Sequence, residues 1–121
     1  MMQADMFDPT TDPTEADFGA FRPLVQTIAE QAAEFDGPVY LFNGDSHRYN
    51  ADHPSAAGSS WRAFYGVDKT VDNLSRITVD GSTGVNDYLR VKVDPSSRAV
   101  LSWEKMPFSS RHPRPGGRSA R

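Results

Sequence analysis

"GPVYLFNGDSHRYNADHP", residues 37–54, holds a four-residue apolar run, Val39-Tyr40-Leu41-Phe42, fenced by Gly37-Pro38 on one side and Gly44 on the other. A strand with one wet face alternates apolar and polar residues. A run without alternation reads as a strand covered on both faces, the central strand of an α/β sheet. Two Asp, two His, two Asn and a Ser follow within residues 43–54. Ligands of open α/β sheets gather at the carboxyl ends of strands, which is where such a cluster would lie.

Working back toward the amino terminus, Phe21, Leu24, Val25, Ile28, Ala32 and Phe35 recur at spacings that place them on one helical face. The spacing predicts a main helix over residues 20–35, with Pro23 in its first turn and Gly37-Pro38 ending it. Residues 8–17 contain two Asp-Pro steps and read as a loop. "MMQADMF", residues 1–7, reads as the end of a buried strand running into that loop.

Working forward, residues 48–73 show little periodicity and read as a long excursion tucked down by Trp61, Phe64 and Tyr65. Ile77 and Val79 alternate with Arg76, Thr78 and Asp80. Leu89, Val91 and Val93 alternate with Arg90 and Lys92, and Leu101 and Trp103 with Ser102 and Glu104. These three segments predict half-buried antiparallel strands, a C-terminal meander, with turns at residues 80–87 and 94–98. The Gly-rich "GSTG", residues 81–84, has no following helix and no Lys, so it reads as a hairpin turn rather than a phosphate loop. The fold class expected is α/β, with one main helix, a buried strand and the meander.

Length allows one domain, residues 1–105, and a basic, disordered tail, residues 106–121. Hydrophobic residues make up only 37%, and nine Pro and nine Gly point to many turns. The tail holds Arg111, Arg114, Arg118 and Arg121 and no acid, so residues 1–105 carry −7 against −3 for the whole chain. An acidic body repels nucleic acid, so no nucleic-acid partner is expected. The absence of cysteine excludes disulfides and thiolate metal sites. No apolar run is long enough to span a membrane. The first ten residues lack the charged and apolar regions of a secretory signal, although a start further upstream could carry one.

Asp45 and His47 stand at i and i+2. In an extended segment these point to the same side, where a carboxylate and an imidazole can share Mn²⁺, Fe or Zn²⁺. Gly44 would let the backbone turn sharply just before them. The plainer reading is that Asp45 caps a turn and His47 is a surface histidine. Asp52 and His53 read as supports or substrate contacts, or as a solvated loop. Asn43 and Asn50 can donate to a phosphate oxygen, and Arg48 can hold a phosphate with its fork. Gln3 and Asp5 carry oxygen ligands at the end of the first segment, where plain loop residues are equally at home.

The stretch at residues 37–54, with "WRAFYGV", "NLSRITVDGSTGVNDYLRVKVDP" and "LSWEKMPF" downstream, resembles the C-terminal part of a bacterial group of calcineurin-like metallophosphoesterases. The likeness runs from about Gln3 to Phe108. The segment Gly44-Asp45-Ser46-His47 looks like the family's last metal motif, Gly-His-x-His, with Asp in place of the first His. By that likeness His47 is a metal ligand and Asp45 is a ligand or orients one. Gln3 stands at or near the place of another metal-binding His. The substrate implied is a phosphate ester, with Asn43, Arg48, Asp52 and His53 as candidate contacts, and the fold implied is a partial metallophosphoesterase-type α/β sandwich. The family's earlier motifs, Asp-x-His, Gly-Asp-x-x-Asp and Gly-Asn-His-Asp/Glu, do not occur in the chain. The expectation is therefore a hydrolase portion lacking its N-terminal half and most ligands, and inactive alone. The alternative is a small non-catalytic interaction module.

Overall fold

The apolar run after Pro38 is β1 (Val39–Asn43) in the computed structural model, which describes residues 1–81 and 86–108. Its parallel neighbour is β3 (Leu74–Thr78), in the register Val39 with Leu74 through Asn43 with Thr78. A third strand, β2 (Asn50–Asp52), pairs antiparallel with the far edge of β3. The sheet order is β1-β3-β2, so β3 rather than β1 is the central strand. Met2 makes one parallel bridge to Asn43 across the other edge of β1, its N–H donating to Phe42 O at 3.0 Å. The segment at residues 1–7 thus does run beside the sheet, as a bridge and not a strand.

The covering of β1 on both faces has a direct cause. On one side lies the main helix, α2 (Arg22–Glu34), with the apolar core; on the other, Trp103 meets the rings of Tyr40 at 5.7 Å and Phe42 at 6.3 Å. Trp103 belongs to a separate antiparallel hairpin, β4 (Asp87–Val93) with β5 (Leu101–Pro107). The molecule is a mixed α/β structure with one main helix and two small sheets. The predicted three-stranded meander is corrected to this two-stranded hairpin, because β3 leaves the antiparallel set to pair with β1. β5 also runs through Met106 and Pro107, two residues past the predicted start of the tail. The tail beyond it, residues 109–121, and most of the "GSTG" turn lie outside the described residues.

Local chemistry explains the helix ends. A short helix, α1 (Glu15–Phe18), is capped by Thr14 Oγ1, which accepts from Asp17 N at 3.3 Å. One turn of 3₁₀ helix links it to α2, where Pro23 occupies the first turn as expected. Val25, Ala29 and Ala32 are buried, whereas Leu24 and Phe35 of the predicted face are exposed. The carbonyls at the end of α2 are collected by one side chain: Asn73 Nδ2 donates to Ala32 O and Gly37 O, both at 2.7 Å. Within the long excursion, α3 (Ser60–Tyr65) starts on Ser59 and ends at Gly66, whose φ of 69° is the left-handed cap that glycine tolerates best.

The excursion is held down as its aromatics predict. Trp61 and Tyr65 are buried, and Tyr65 stacks on Trp61 while its ring edge meets Phe7. Tyr65 is wholly buried, and its hydroxyl donates to Met6 O at 2.6 Å. Burial pushes its pKa up to about 12. The folded protein therefore keeps the phenol neutral at pH values where the unfolded chain, with a pKa of about 10, ionises. Stability from this group is fully present below pH ~10 and falls as pH rises toward ~12, by about 3 kcal/mol in total. Urea titrations at pH 9 and pH 11.5 on the wild type and Tyr65→Phe should show this alkaline loss in the first and its reduction in the second. Equal losses in both would remove Tyr65 as the cause.

Candidate functional site

At the carboxyl ends of β1 and β3 the chain makes two adjacent loops. Val79 N donates to Asn43 O at 2.9 Å and Gly81 N to His47 O at 3.3 Å, so the loop after β3 lies against the loop after β1. The loop after β1 is not extended. Ser46 N donates to Gly44 O at 2.9 Å across Asp45, whose φ is 73°, and His47 follows with φ of 65°. The first is a three-residue γ-turn with a positive φ at its centre, the rarer and more strained form. Two left-handed non-glycine residues within three positions are unusual, and such strain clusters at functional sites. This corrects two expectations. The same-side geometry of an extended segment does not apply, and Gly44 is not the residue with the special backbone.

Asp45, His47 and Arg48 are all exposed. Among the described residues, the side chains of Asp45 and His47 have no hydrogen-bond or ion-pair partner. Gln3 is brought to the same place: its carbonyl accepts from Gly44 N at 3.1 Å, and its side chain lies against Gly44. His47 Nδ1 sits so close to Gly81 that a Cβ there would come within 2.9 Å of it. The close approach is therefore open to glycine, and the imidazole rests on the β3 loop.

The remaining candidates are arranged differently from the expectation. Asn43 is buried and faces inward, its Oδ1 accepting from Thr78 Oγ1 at 3.0 Å and its Nδ2 donating to Gly44 O at 3.2 Å. It ties the strand ends together and does not offer its amide to a ligand. Asp52 opposes Arg76 in the β2–β3 register and grips its guanidinium with both oxygens, to Nε at 2.9 Å and Nη2 at 2.7 Å. His53, one residue further along, points Nδ1 at Leu74 O and Ser75 Oγ, each 3.3 Å away. That is toward the amino end of β3, so His53 stands apart from the loop cluster. Asn50 donates to Asp52 Oδ2 at 3.0 Å.

Sequence reasoning missed Arg76. It sits mid-strand on β3, beside Leu41 of β1, on the face that meets the core, and its side chain is 0% exposed. Asp5, itself 1% exposed, receives its Nη1 at 2.5 Å, while Asp52 remains 41% exposed. Asp5 Oδ1 also accepts from Phe7 N at 3.0 Å, and Oδ2 accepts from Ser46 Oγ at 2.7 Å. A buried guanidinium with all three nitrogens engaged thus links the first segment, β2, β3 and the loop after β1. The alternation read from the sequence set Arg76 opposite Ile77 on the wet face of a half-buried strand; this is corrected, because β3 is a central strand covered on both faces.

The hairpin closes the other side of the loop. Trp103 Nε1 donates to Tyr49 Oη at 3.0 Å, and Lys105 lies 2.9 Å from Asp80 Oδ2 and 5.3 Å from the Tyr49 ring centre. The Lys105 ammonium, assisted by the Tyr49 N–H, holds the Asp80 carboxyl below the usual range, and Asp80 raises Lys105 in turn.

Divalent cations of the Mn, Fe or Zn type accept the donors present here, a carboxylate, an imidazole and an amide oxygen. Their number falls short: firm sites use three or four protein ligands, and among the described residues no three His, Asp or Glu side chains converge. Likewise, among the described residues no helix is long and apolar enough to cross a membrane. Scans against protein-family models, curated proteins and solved structures find no match to this chain.

Proposed function

We propose that the loop at residues 44–48 is one corner of a metal-dependent phosphoric-ester hydrolase site. In this reading Asp45 and His47 are ligands, Gln3 an auxiliary oxygen donor and Arg48 a phosphate contact. The observation that carries it is the pair of exposed metal-capable side chains, without a partner among the described residues, on a strained loop at the carboxyl edge of two parallel strands. Such metals polarise the phosphoryl group and lower the pKa of bound water. The described residues offer too few ligands to hold the ions, so no hydrolytic step is assigned to them. In this reading the other ligands come from outside the described residues.

Two results test this. The purified 121-residue chain is expected to show no Mn²⁺-dependent turnover of a nitrophenyl phosphate above buffer; turnover abolished by His47→Ala would refute the inactivity of this chain. The protein from its own source is expected to have an intact mass well above 13.4 kDa and to contain Mn, Fe or Zn. A mass of 13.4 kDa with no bound metal overturns the hydrolase reading.

A second reading, a small interaction module, is favoured by the hairpin, where Tyr88, Val91, Val93 and Phe108 are exposed. A monodisperse protein with one cooperative melt supports the module. Aggregation without a cooperative melt supports a portion of a larger domain.

A further inference from the structure

We infer that Ser46 is the positioning residue of the strand-end loop, acting through Asp5 and the buried Arg76. Its bearing on metal affinity rests on the proposed hydrolase reading; its bearing on loop conformation does not.

Ser46 lies between the two left-handed residues, Asp45 and His47. Left-handed backbone at non-glycine residues is costly, so the loop relaxes unless something outside it fixes its shape. Its backbone anchors are few: Gly44 N on Gln3 O, Ser46 N on Gly44 O, and His47 O under Gly81 N at a long 3.3 Å. Two side chains add to them: Asn43 Nδ2 donates to Gly44 O at 3.2 Å, and, closer and at the centre of the loop, Ser46 Oγ donates to the Asp5 carboxylate at 2.7 Å. A hydroxyl bound to an ionised carboxylate is among the stronger hydrogen bonds. Asp5 is in no position to move, because Arg76 and the Phe7 N–H hold its other oxygen. Arg76 in turn is forked by Asp52. The fixed charges of the interior thereby reach the loop through one hydroxyl. That hydroxyl sets the directions in which the side chains on either side of it leave the backbone.

Removing Asp5 or Arg76 would damage the fold, so the informative change is Ser46→Ala, with Ser46→Thr as the conservative partner. The full chain would be labelled for NMR and studied with Mn²⁺ alone as the probe. In Ser46→Ala the melting temperature should fall by only several degrees with the fold retained, because the buried Asp5 Oδ2 loses its donor. Protection of the Gly81 amide from hydrogen exchange should fall about tenfold. The Mn²⁺ concentration needed to broaden the His47 ring signal should rise about tenfold. Ser46→Thr should restore both. Unchanged Gly81 protection and an unchanged His47 ring signal in Ser46→Ala would overturn the inference. If the wild-type His47 signal ignores Mn²⁺, Gly81 protection alone decides the positioning role.

Discussion

Arg76→Leu is expected to destabilise the protein by about 3–5 kcal/mol, the cost of leaving a buried charge without its partner. Asp5 is 1% exposed and cannot rotate its carboxylate into water, whereas Asp52 is 41% exposed and can be resolvated. The loss should therefore be traceable to Asp5. In urea, Arg76→Leu should unfold far earlier than the wild type. Asp52→Asn should cost much less, since Arg76 keeps its closest partner. The double change Asp5→Leu with Arg76→Leu should recover a good part of the stability, because a buried ion pair repays little of its desolvation. It should not recover all of it, since Phe7 N and Ser46 Oγ lose their acceptor. A loss under ~1 kcal/mol for Arg76→Leu would mean the pair is better solvated than its burial implies.

Trp61→Ala should have an effect of similar size for a different reason. Trp61 joins Phe18 at 4.9 Å, Tyr65 at 5.9 Å, and Phe7 and Phe64 at 6.2 Å, so four rings lose a neighbour at once. Truncating a buried Trp costs about 3–5 kcal/mol through lost burial and the cavity left behind. Small domains are stable by only about 5–15 kcal/mol, so this variant should melt well below the wild type. Trp103, the second of the chain's two tryptophans, remains as a fluorescent reporter of the melt. A shift of only a few degrees would mean that the α3 region is dispensable to the core.

The sequence disclosed what depends on periodicity and punctuation. The main helix, the buried strand after Gly37-Pro38 and the hairpin turn at Asp94 are all written locally. The turn, for example, has Ser96 N on Asp94 Oδ1 and Ser97 N on Asp94 O, both at 3.0 Å. What stayed hidden depends on partners remote in sequence. β2 is three residues long, too short to show alternation. β3 alternates in sequence yet has Arg76, Ile77 and Thr78 all buried, because a central strand is covered on both faces. Nothing within residues 74–80 announces that its arginine will meet Asp5 and Asp52. At the candidate site, Asp45 and His47 were legible as residue types. Their left-handed backbone, and the tether through Ser46, were not.

The Asp5–Arg76 contact joins residues 71 apart in the chain. Contacts between such distant residues form only after much of the loop-closure entropy has been lost, which slows folding. During synthesis Asp5 remains hydrated until residue 76 has been made, and β1 waits for β3 until about the same point. This part of the interior is therefore assembled only after β3 has been made, and until then the segment before it stays acidic and strand-poor, with its helix already able to form.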